Sequence, residues 1–187
     1  HIFFPCAMTA ICCFGLFSLY AALAGTFIQG LAIPQTATIT GLSISVILFI
    51  STLTQLCFKS LKESNSLIYG LGLTVSGCLC LLLAQYTHSN LWLILSILTA
   101  GIGHGLALNP AYALVATIAK KENPAIFSTF LLLAYQGTIW PVLLSSVLID
   151  HFSIMVSLAV FAVLISALAV WVFRHLHTIQ QLQSTKP

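Results

Sequence analysis

Six long apolar stretches divide this sequence, and short segments of charged and turn-forming residues separate them. A helix that crosses the hydrocarbon core of a bilayer needs about 20 consecutive apolar residues, and all six stretches reach that length. Continuous runs of this kind favour membrane-spanning helices over barrel strands, in which apolar and polar residues alternate. The predicted spans are residues 6–28, 38–58, 66–86, 91–119, 125–149 and 152–173.

Charged side chains are too scarce here for a protein that folds in water. Only 5% of the 187 residues are charged and 59% are hydrophobic, whereas an ordinary soluble domain is about 25% charged. Too little polar surface would remain to cover a soluble molecule of this composition. We therefore expect an all-α, polytopic membrane protein with six transmembrane helices.

The positive charges predict the orientation of these spans. If each stretch crosses the membrane once, every Lys and Arg falls on the same side. Since Lys and Arg accumulate in cytoplasmic loops, we expect a multi-pass protein of the cell (inner) membrane with both termini in the cytoplasm. The positive residues are Lys59, Lys62, Lys120, Lys121, Arg174 and Lys186.

Several features together resemble a known family of transporters. The fourth span carries residues 101–105 (Gly-Ile-Gly-His-Gly) before a basic turn, and the fifth carries residues 135–138 (Tyr-Gln-Gly-Thr) midway. Residues 59–63 (Lys-Ser-Leu-Lys-Glu) form a basic loop that is a degraded version of a Gly-x-x-x-Asp-Arg motif. With six spans and both ends inside, this pattern resembles the C-terminal half of a major facilitator superfamily (MFS) transporter, whose full chain has twelve spans. The chain begins with His1 rather than Met and shows no signal peptide, so we expect it to belong to a longer protein.

The resemblance implies both an architecture and an activity. Residues 1–178 would form a half-transporter built as two inverted three-helix repeats, residues 1–88 and 89–178, and residues 179–187 would form a polar cytoplasmic tail. This half would work with an N-terminal six-helix half by alternating access, as a secondary active, proton-coupled transporter of a small organic solute. No Lys or Arg is expected in the cavity of this half, which favours a neutral, amphipathic or cationic solute and a drug- or metabolite-exporting branch.

His104 is the candidate with the strongest chemistry. It is the one ionisable side chain well inside a predicted span, Cys and Tyr set aside, and such residues are rare in membranes and usually functional. An unperturbed imidazole titrates at a pKa of about 6.5, so His104 is able to carry a proton during coupling. A neutral histidine that hydrogen-bonds a neighbouring helix is the alternative.

By the resemblance, spans one, two, four and five line the central cavity. Polar groups on largely apolar side chains are what such a pocket uses to orient a ligand, although hydrogen bonds between helices need the same residue types. The candidate substrate-binding residues are Tyr20, Gln55, His104, Asn109, Tyr112, Tyr135, Gln136 and Trp140.

The glycines beside His104 have a structural interpretation. Gly101 and Gly105 form a Gly-x-x-x-Gly pair with Gly103 between them, and small residues at this spacing let two helices approach closely in lipid. We expect all three to serve helix packing. The missing side chains would also leave room for a substrate.

Two other functional classes stay open. Residues 109–111 (Asn-Pro-Ala) match the signature of aquaporin-like channels, but such channels carry two copies and a filter Arg, whereas this chain has one copy and no Arg before Arg174. A membrane scaffold without transport activity is the other alternative. The sequence contains no phosphate loop, no Ser/His/Asp set and no carboxylate pair, so we expect no enzyme activity, cofactor, metal site or nucleic-acid partner. Asp150 is expected to cap the last span.

Overall fold

The computed structural model describes residues 2–29 and 37–184. Within these ranges the chain forms α-helices joined by short turns. Five of the helices are long and apolar enough to cross a bilayer, and the described apolar part of the second, Ile44–Cys57, is shorter. The fold is therefore all-helical and fits a membrane-spanning protein. The helices are α1 (Phe3–Gln29), α2 (Ala37–Cys57), α3 (Glu63–Thr87), α4 (Asn90–Lys121), α5 (Ala125–His151) and α6 (Ile154–Ser184).

The helices follow the predicted spans and extend past several of their ends. With 32 residues, α4 is about 48 Å long at 1.5 Å per residue, which exceeds a hydrocarbon core of about 30 Å. The sixth helix continues to Ser184, beyond the predicted end of its span at residue 173, because residues 174–184 contain no Pro or Gly that would end it. Residues 30–36, between the first two predicted spans, and residues 185–187 of the predicted tail lie outside the described residues.

Two of the turns are made by local backbone chemistry. His88 ends α3 in the left-handed conformation, with φ of 50°, and its N–H bonds the carbonyl of Ala84. Between α5 and α6, Ser153 Oγ accepts a hydrogen bond from the N–H of Val156 at 3.3 Å and so caps α6. Asp150 lies in the last turn of α5. The expectation that Asp150 caps the last span is wrong, because the chain stays helical past that residue.

Pro110 lies inside α4 without interrupting the helix. A proline has no N–H, so it leaves the carbonyl four residues earlier without its usual partner. Here that carbonyl belongs to Leu106, and Ser66 on α3 donates its hydroxyl to it at 2.7 Å. A side chain from the neighbouring helix thus replaces the missing backbone bond, as backbone groups in a membrane require.

Pro141 in α5 has a related arrangement. The carbonyl that it leaves unpaired is that of Gly137, which accepts from Ser18 Oγ on α1 at 3.3 Å. The same hydroxyl also donates to Gly15 on its own helix at 3.0 Å. For both internal prolines of the described helices α4 and α5, a serine hydroxyl from a neighbouring helix therefore donates to the carbonyl that the proline leaves without an amide partner.

The core of the bundle consists of two apolar clusters. One includes Ala107 and Phe130 and gathers the first half of α1, the start of α3, the later half of α4 and the end of α6. The other includes Ala100 and Phe161 and fills the opposite end. Helix α4 runs through both clusters and packs against α1, α2, α3 and α5. His104 lies on α4 between Ala100 and Ala107, at the level where the two clusters meet.

Candidate functional site

His104 is buried where three helices meet, with 8% of its surface exposed. Its ring lies beside Phe14 and Phe17 of α1, at centroid distances of 6.1 and 6.2 Å. Its Nδ1 is 2.9 Å from Ser51 Oγ on α2. The imidazole of α4 is therefore tied to α2 by a hydrogen bond and to α1 by ring contacts.

Gln55 extends this contact toward the outside of the bundle. Its amide Nε2 donates to Ser51 Oγ at 3.3 Å, one helical turn away on the same helix. A serine oxygen that accepts from Gln55 still has its own hydrogen to donate to Nδ1 of His104, and a neutral ring bonded in this way carries its proton on Nε2. The structure thus joins Gln55, Ser51 and His104 in one hydrogen-bonded chain, and two of these are predicted site residues.

His104 also lines a small internal cavity. Nε2 is buried and has no hydrogen-bond partner among the described residues. The cavity has a volume of about 10 Å³, close to the smallest volume that holds one water molecule, about 10–15 Å³. Cys13, Phe17, Tyr20 and Thr74 are among its lining residues. His104 and Tyr20, on different helices, therefore face the same internal space.

Tyr20 belongs to a second hydrogen-bonded chain that links three helices. Ser96 Oγ on α4 donates to the carbonyl of Gly77 on α3 at 2.6 Å. Because the single hydroxyl hydrogen of Ser96 is used there, the Tyr20 hydroxyl is the donor in its short contact with Ser96 Oγ. With 4% of its surface exposed, Tyr20 is held inside the bundle.

The three predicted packing glycines point at two different neighbours. A Cβ at Gly101 would lie 2.9 Å from Ile50 Cβ, and one at Gly105 would lie 2.5 Å from Ser51 O, both on α2. A Cβ at Gly103 would lie 2.6 Å from the backbone N of Thr74 on α3. Backbone therefore touches backbone on both sides of α4, and the close approach at Gly105 places Ser51 within reach of His104.

The remaining predicted residues lie at exposed or half-buried positions of α4 and α5, which we call the outer face of α4 and α5. Asn109 is exposed, as are Tyr135 and Trp140, with 55% and 65% of their surfaces exposed. Gln136 is half-buried, and its Oε1 accepts from Trp140 Nε1 at 2.9 Å. The Gln136 amide thereby fixes the indole of Trp140 one turn further along α5.

Aromatic rings connect this outer face to the buried histidine. The Tyr135 ring lies 6.0 Å from that of Phe14, and Phe14 in turn lies 6.1 Å from His104. The half-buried ring of Tyr112 packs on Phe130 at 5.2 Å, within an aromatic cluster of α4 and α5. The structure therefore brings His104, Gln55 and Tyr20 into one region and connects Tyr135 to it through Phe14.

Sequence reasoning did not identify Ser51, Ser96 or Phe14 as parts of this region. Serines occur throughout the spans of this chain, so neither serine differs from those that bond only their own helix. One signal was present for Ser51, because it precedes Gln55 by four residues and i, i+4 pairs share a helix face. Phe14 is one of 12 phenylalanines, and nothing local separates it from the others.

We compared the chain with protein-family models, with curated proteins and with solved structures, and none of them matches.

Proposed function

We propose that this chain is one six-span half of an MFS-type secondary transporter. It would lie in the cell (inner) membrane with both ends in the cytoplasm and would work against an N-terminal six-helix half by alternating access. The solute would be small and organic, and its transport would be coupled to protons. The single observation that carries this proposal is the pattern in which the helices pack.

That packing supports two inverted three-helix repeats, residues 1–88 and 89–178. Two such repeats would make α1 equivalent to α4, α2 to α5, and α3 to α6. Under this equivalence the contact between α1 and α5 corresponds to the contact between α4 and α2, and both contacts are present. The same equivalence relates α3–α4 to α6–α1 and α1–α2 to α4–α5, and it maps α1–α4 and α3–α6 onto themselves. Only the contacts α1–α3 and α5–α6 lack a counterpart in the described part of the chain. A related pattern of contacts is what internal symmetry in a transporter half produces.

The equivalent helices α2 and α5 also bury equivalent narrow stripes. On α5 the buried residues are Phe130, Ala134, Gly137, Pro141 and Ser145, a spacing of three or four that follows one helix face. On α2 the described buried residues are Ile47, Ser51 and Thr54. Much of the remaining described apolar surface of both helices is exposed, which favours a large partner in the membrane. We assign that surface to the other half of the transporter.

The outer face of α4 and α5 offers groups that suit an amphipathic or cationic solute. The exposed indole of Trp140 attracts a cation through its ring face, and Gln136 holds that indole in place. The hydroxyl of Tyr135 and the amide of Asn109 add polar contacts on apolar helices, as in a ligand pocket. We infer that the solute binds between this face and the partner half.

Proton coupling needs a contribution from outside this chain. Its three acidic residues, Glu63, Glu122 and Asp150, lie at helix ends. Glu122, the residue that follows the last residue of α4, is about 27 Å from His104 along the helix axis at 1.5 Å per residue. We therefore assign the proton-binding carboxylate to the partner half and a positioning or proton-binding role to His104.

The first test is the gene sequence upstream of the codon for His1. The proposal expects six further apolar spans with a Gly-x-x-x-Asp-Arg type of loop between the second and third. A start codon directly before His1 would contradict it. This observation distinguishes a half-transporter from a self-contained protein without any assay.

The second test uses a transport probe. Cells that express the full-length protein should accumulate less ethidium, a lipophilic cation, than control cells, and an uncoupler that dissipates the proton gradient should remove the difference. Trp140→Ala should weaken export, while Trp92→Ala, a tryptophan at the start of α4, serves as the matched control. Water or solute flux through this chain alone in liposomes would instead support the channel alternative, although residues 109–111 lie within the unbroken helix α4.

A further inference from the structure

A long apolar groove runs along the outside of the bundle between α3 and α6. Residues 68–76 of α3 and 166–176 of α6 form its walls, and its volume is about 900 Å³. It lies away from His104 and from the exposed face of α4 and α5. The proposed transport site makes no use of it.

The groove has the length of one bilayer leaflet. Ten residue steps along α6 correspond to about 15 Å at 1.5 Å per residue, and half of a hydrocarbon core of about 30 Å is also about 15 Å. Tyr69 and Arg174 lie at one end, while Ser76 and Ser166 lie at the other. The groove therefore extends from near the end of the helices to about the middle of the bundle.

Polar and aromatic residues mark one end as the membrane interface. Of the described residues that line the groove, Arg174 alone is charged. One turn before it, Trp171 stacks on His175 with ring centroids 4.0 Å apart, and Tyr69 on α3 is 59% exposed. Aromatic and basic side chains concentrate where headgroups meet hydrocarbon, so Arg174 lies at headgroup depth.

We propose that this groove binds one anionic phospholipid. Its acyl chains lie between α3 and α6, and its phosphate group meets the guanidinium of Arg174, which binds phosphate oxygens in a bidentate way. Basic sites between membrane helices select anionic headgroups on this principle. The proposal requires that the helices span a bilayer and is independent of transport.

Gly72 makes the groove testable without damage to the fold. A Cβ built at Gly72 meets no described atom within 4 Å, whereas one at Gly70, two residues earlier, would lie 2.4 Å from the backbone N of Ala107. Gly72→Trp therefore fills the groove and leaves the α3–α4 contact in place. Gly41→Trp is the matched control, because no described atom lies within 4 Å of a Cβ built at Gly41 on α2 and Gly41 is outside the groove.

The experiment measures retained lipid by native mass spectrometry on the protein as expressed, after release from membranes that contain equal phosphatidylglycerol and phosphatidylcholine. The wild-type protein should retain phosphatidylglycerol about fivefold over phosphatidylcholine, the effect of one basic residue near a headgroup. Arg174→Gln should abolish that preference, and Arg174→Lys should keep most of it. Gly72→Trp should lose the retained lipid of both classes, and Gly41→Trp should not.

Controls separate this site from general attraction to a basic surface. Lys62→Gln removes one positive charge from the loop before α3 without altering the groove, so it should leave the preference unchanged. An equal loss with Lys62→Gln, an unchanged preference with Arg174→Gln, or full retention in Gly72→Trp would each overturn the proposal. A Gly72→Cys disulfide between two copies in the membrane would also overturn it, since it would show a second chain in the groove. Thermal unfolding in detergent verifies that each variant is folded.

Discussion

The hydroxyl of Ser66 on α3 lies 2.7 Å from the carbonyl oxygen of Leu106 on α4, the oxygen that the proline at position 110 leaves without an amide partner. Ser66 is buried, so no bulk water replaces it. The helix that carries His104 thus depends on its neighbour for one of its own backbone hydrogen bonds.

Ser66→Ala should lower the free energy of unfolding by about 1 kcal/mol, because it leaves a buried carbonyl unpaired. In a Pro110→Ala background α4 recovers its own N–H, so the effect of Ser66→Ala should fall toward zero. Unfolding in mixed micelles with increasing sodium dodecyl sulfate measures both arms of this cycle. Ser76→Ala is the control, since Ser76 is exposed and its hydroxyl donates to Gly72 O on its own helix. An equal loss in the two backgrounds would show that Ser66 stabilises α4 by some other contact.

The corresponding cycle between Ser18 and Pro141 should give a smaller coupling energy. The hydroxyl hydrogen of Ser18 is shared between Gly15 O at 3.0 Å and Gly137 O at 3.3 Å. Ser18→Ala therefore removes a weaker hydrogen bond from Gly137 O than Ser66→Ala removes from Leu106 O. We expect about half of the value found for the first cycle, again by unfolding in mixed micelles. A coupling as large as that of Ser66 and Pro110 would contradict this ranking.

Gly105→Ala should separate α2 from α4. The added methyl group would meet Ser51 O at 2.5 Å, and overpacking of this kind costs about 1–3 kcal/mol. Gly72→Ala, at an open helical position, should instead stabilise by up to about 1 kcal/mol through helix propensity. Thermal unfolding in detergent compares the two. Equal stabilities for both variants would mean that α2 moves away from α4 at little cost.

His104→Gln should flatten the pH dependence of transport by the full-length protein. Glutamine retains hydrogen-bonding groups near Ser51 but cannot bind a proton in this range, so the variant removes proton binding with little change in packing. Ethidium export measured across external pH 5.5 to 8 tests this expectation. If the pH profile keeps its shape, His104 is a structural hydrogen-bonding residue, the alternative that the sequence leaves open.

His88→Gly should raise the stability of the turn between α3 and α4. A residue other than Gly in the left-handed conformation costs about 1–2 kcal/mol. Glycine removes this cost, but it also raises the conformational entropy of the unfolded chain, which offsets part of the gain in stability. A net gain of about 0.5–1 kcal/mol in unfolding free energy should result. His88→Ala keeps the strained conformation and should show no gain; a similar gain from Ala would point to the imidazole instead of the backbone.

Hydropathy predicted the helices well because membrane solvation acts on whole segments. Residues 66–86 and 125–149 fall within α3 and α5, and charges or turn formers end both. Helix ends were less predictable, because an end such as that of α6 depends on a few residues with similar helix propensity. Asp150 shows the same limit. It is a residue type that often caps helices, but it lies within α5, and Ser153 caps α6 instead.

The site was predicted in part for a different reason. His104 stands out because an ionisable residue in a span is rare. Its partner Ser51 is 53 positions away in sequence, and only the approach of α2 to Gly105 brings the two together. Pairings of this kind depend on the packing of helices, which no local pattern encodes.

The backbone contacts on both sides of α4 limit where this molecule is able to deform. Sliding of two helices normally proceeds by side chains that change rotamer, and at Gly101, Gly103 and Gly105 no such layer separates α4 from α2 and α3. We expect α2, α3 and α4 to move as one rigid unit, even though they come from both halves of the sequence. Helix α5 makes the same kind of contact with α1, since a Cβ at Gly137 would lie 2.6 Å from Ile11 O. Slow motions measured by hydrogen exchange should therefore concentrate in the described segments that lie away from both contacts.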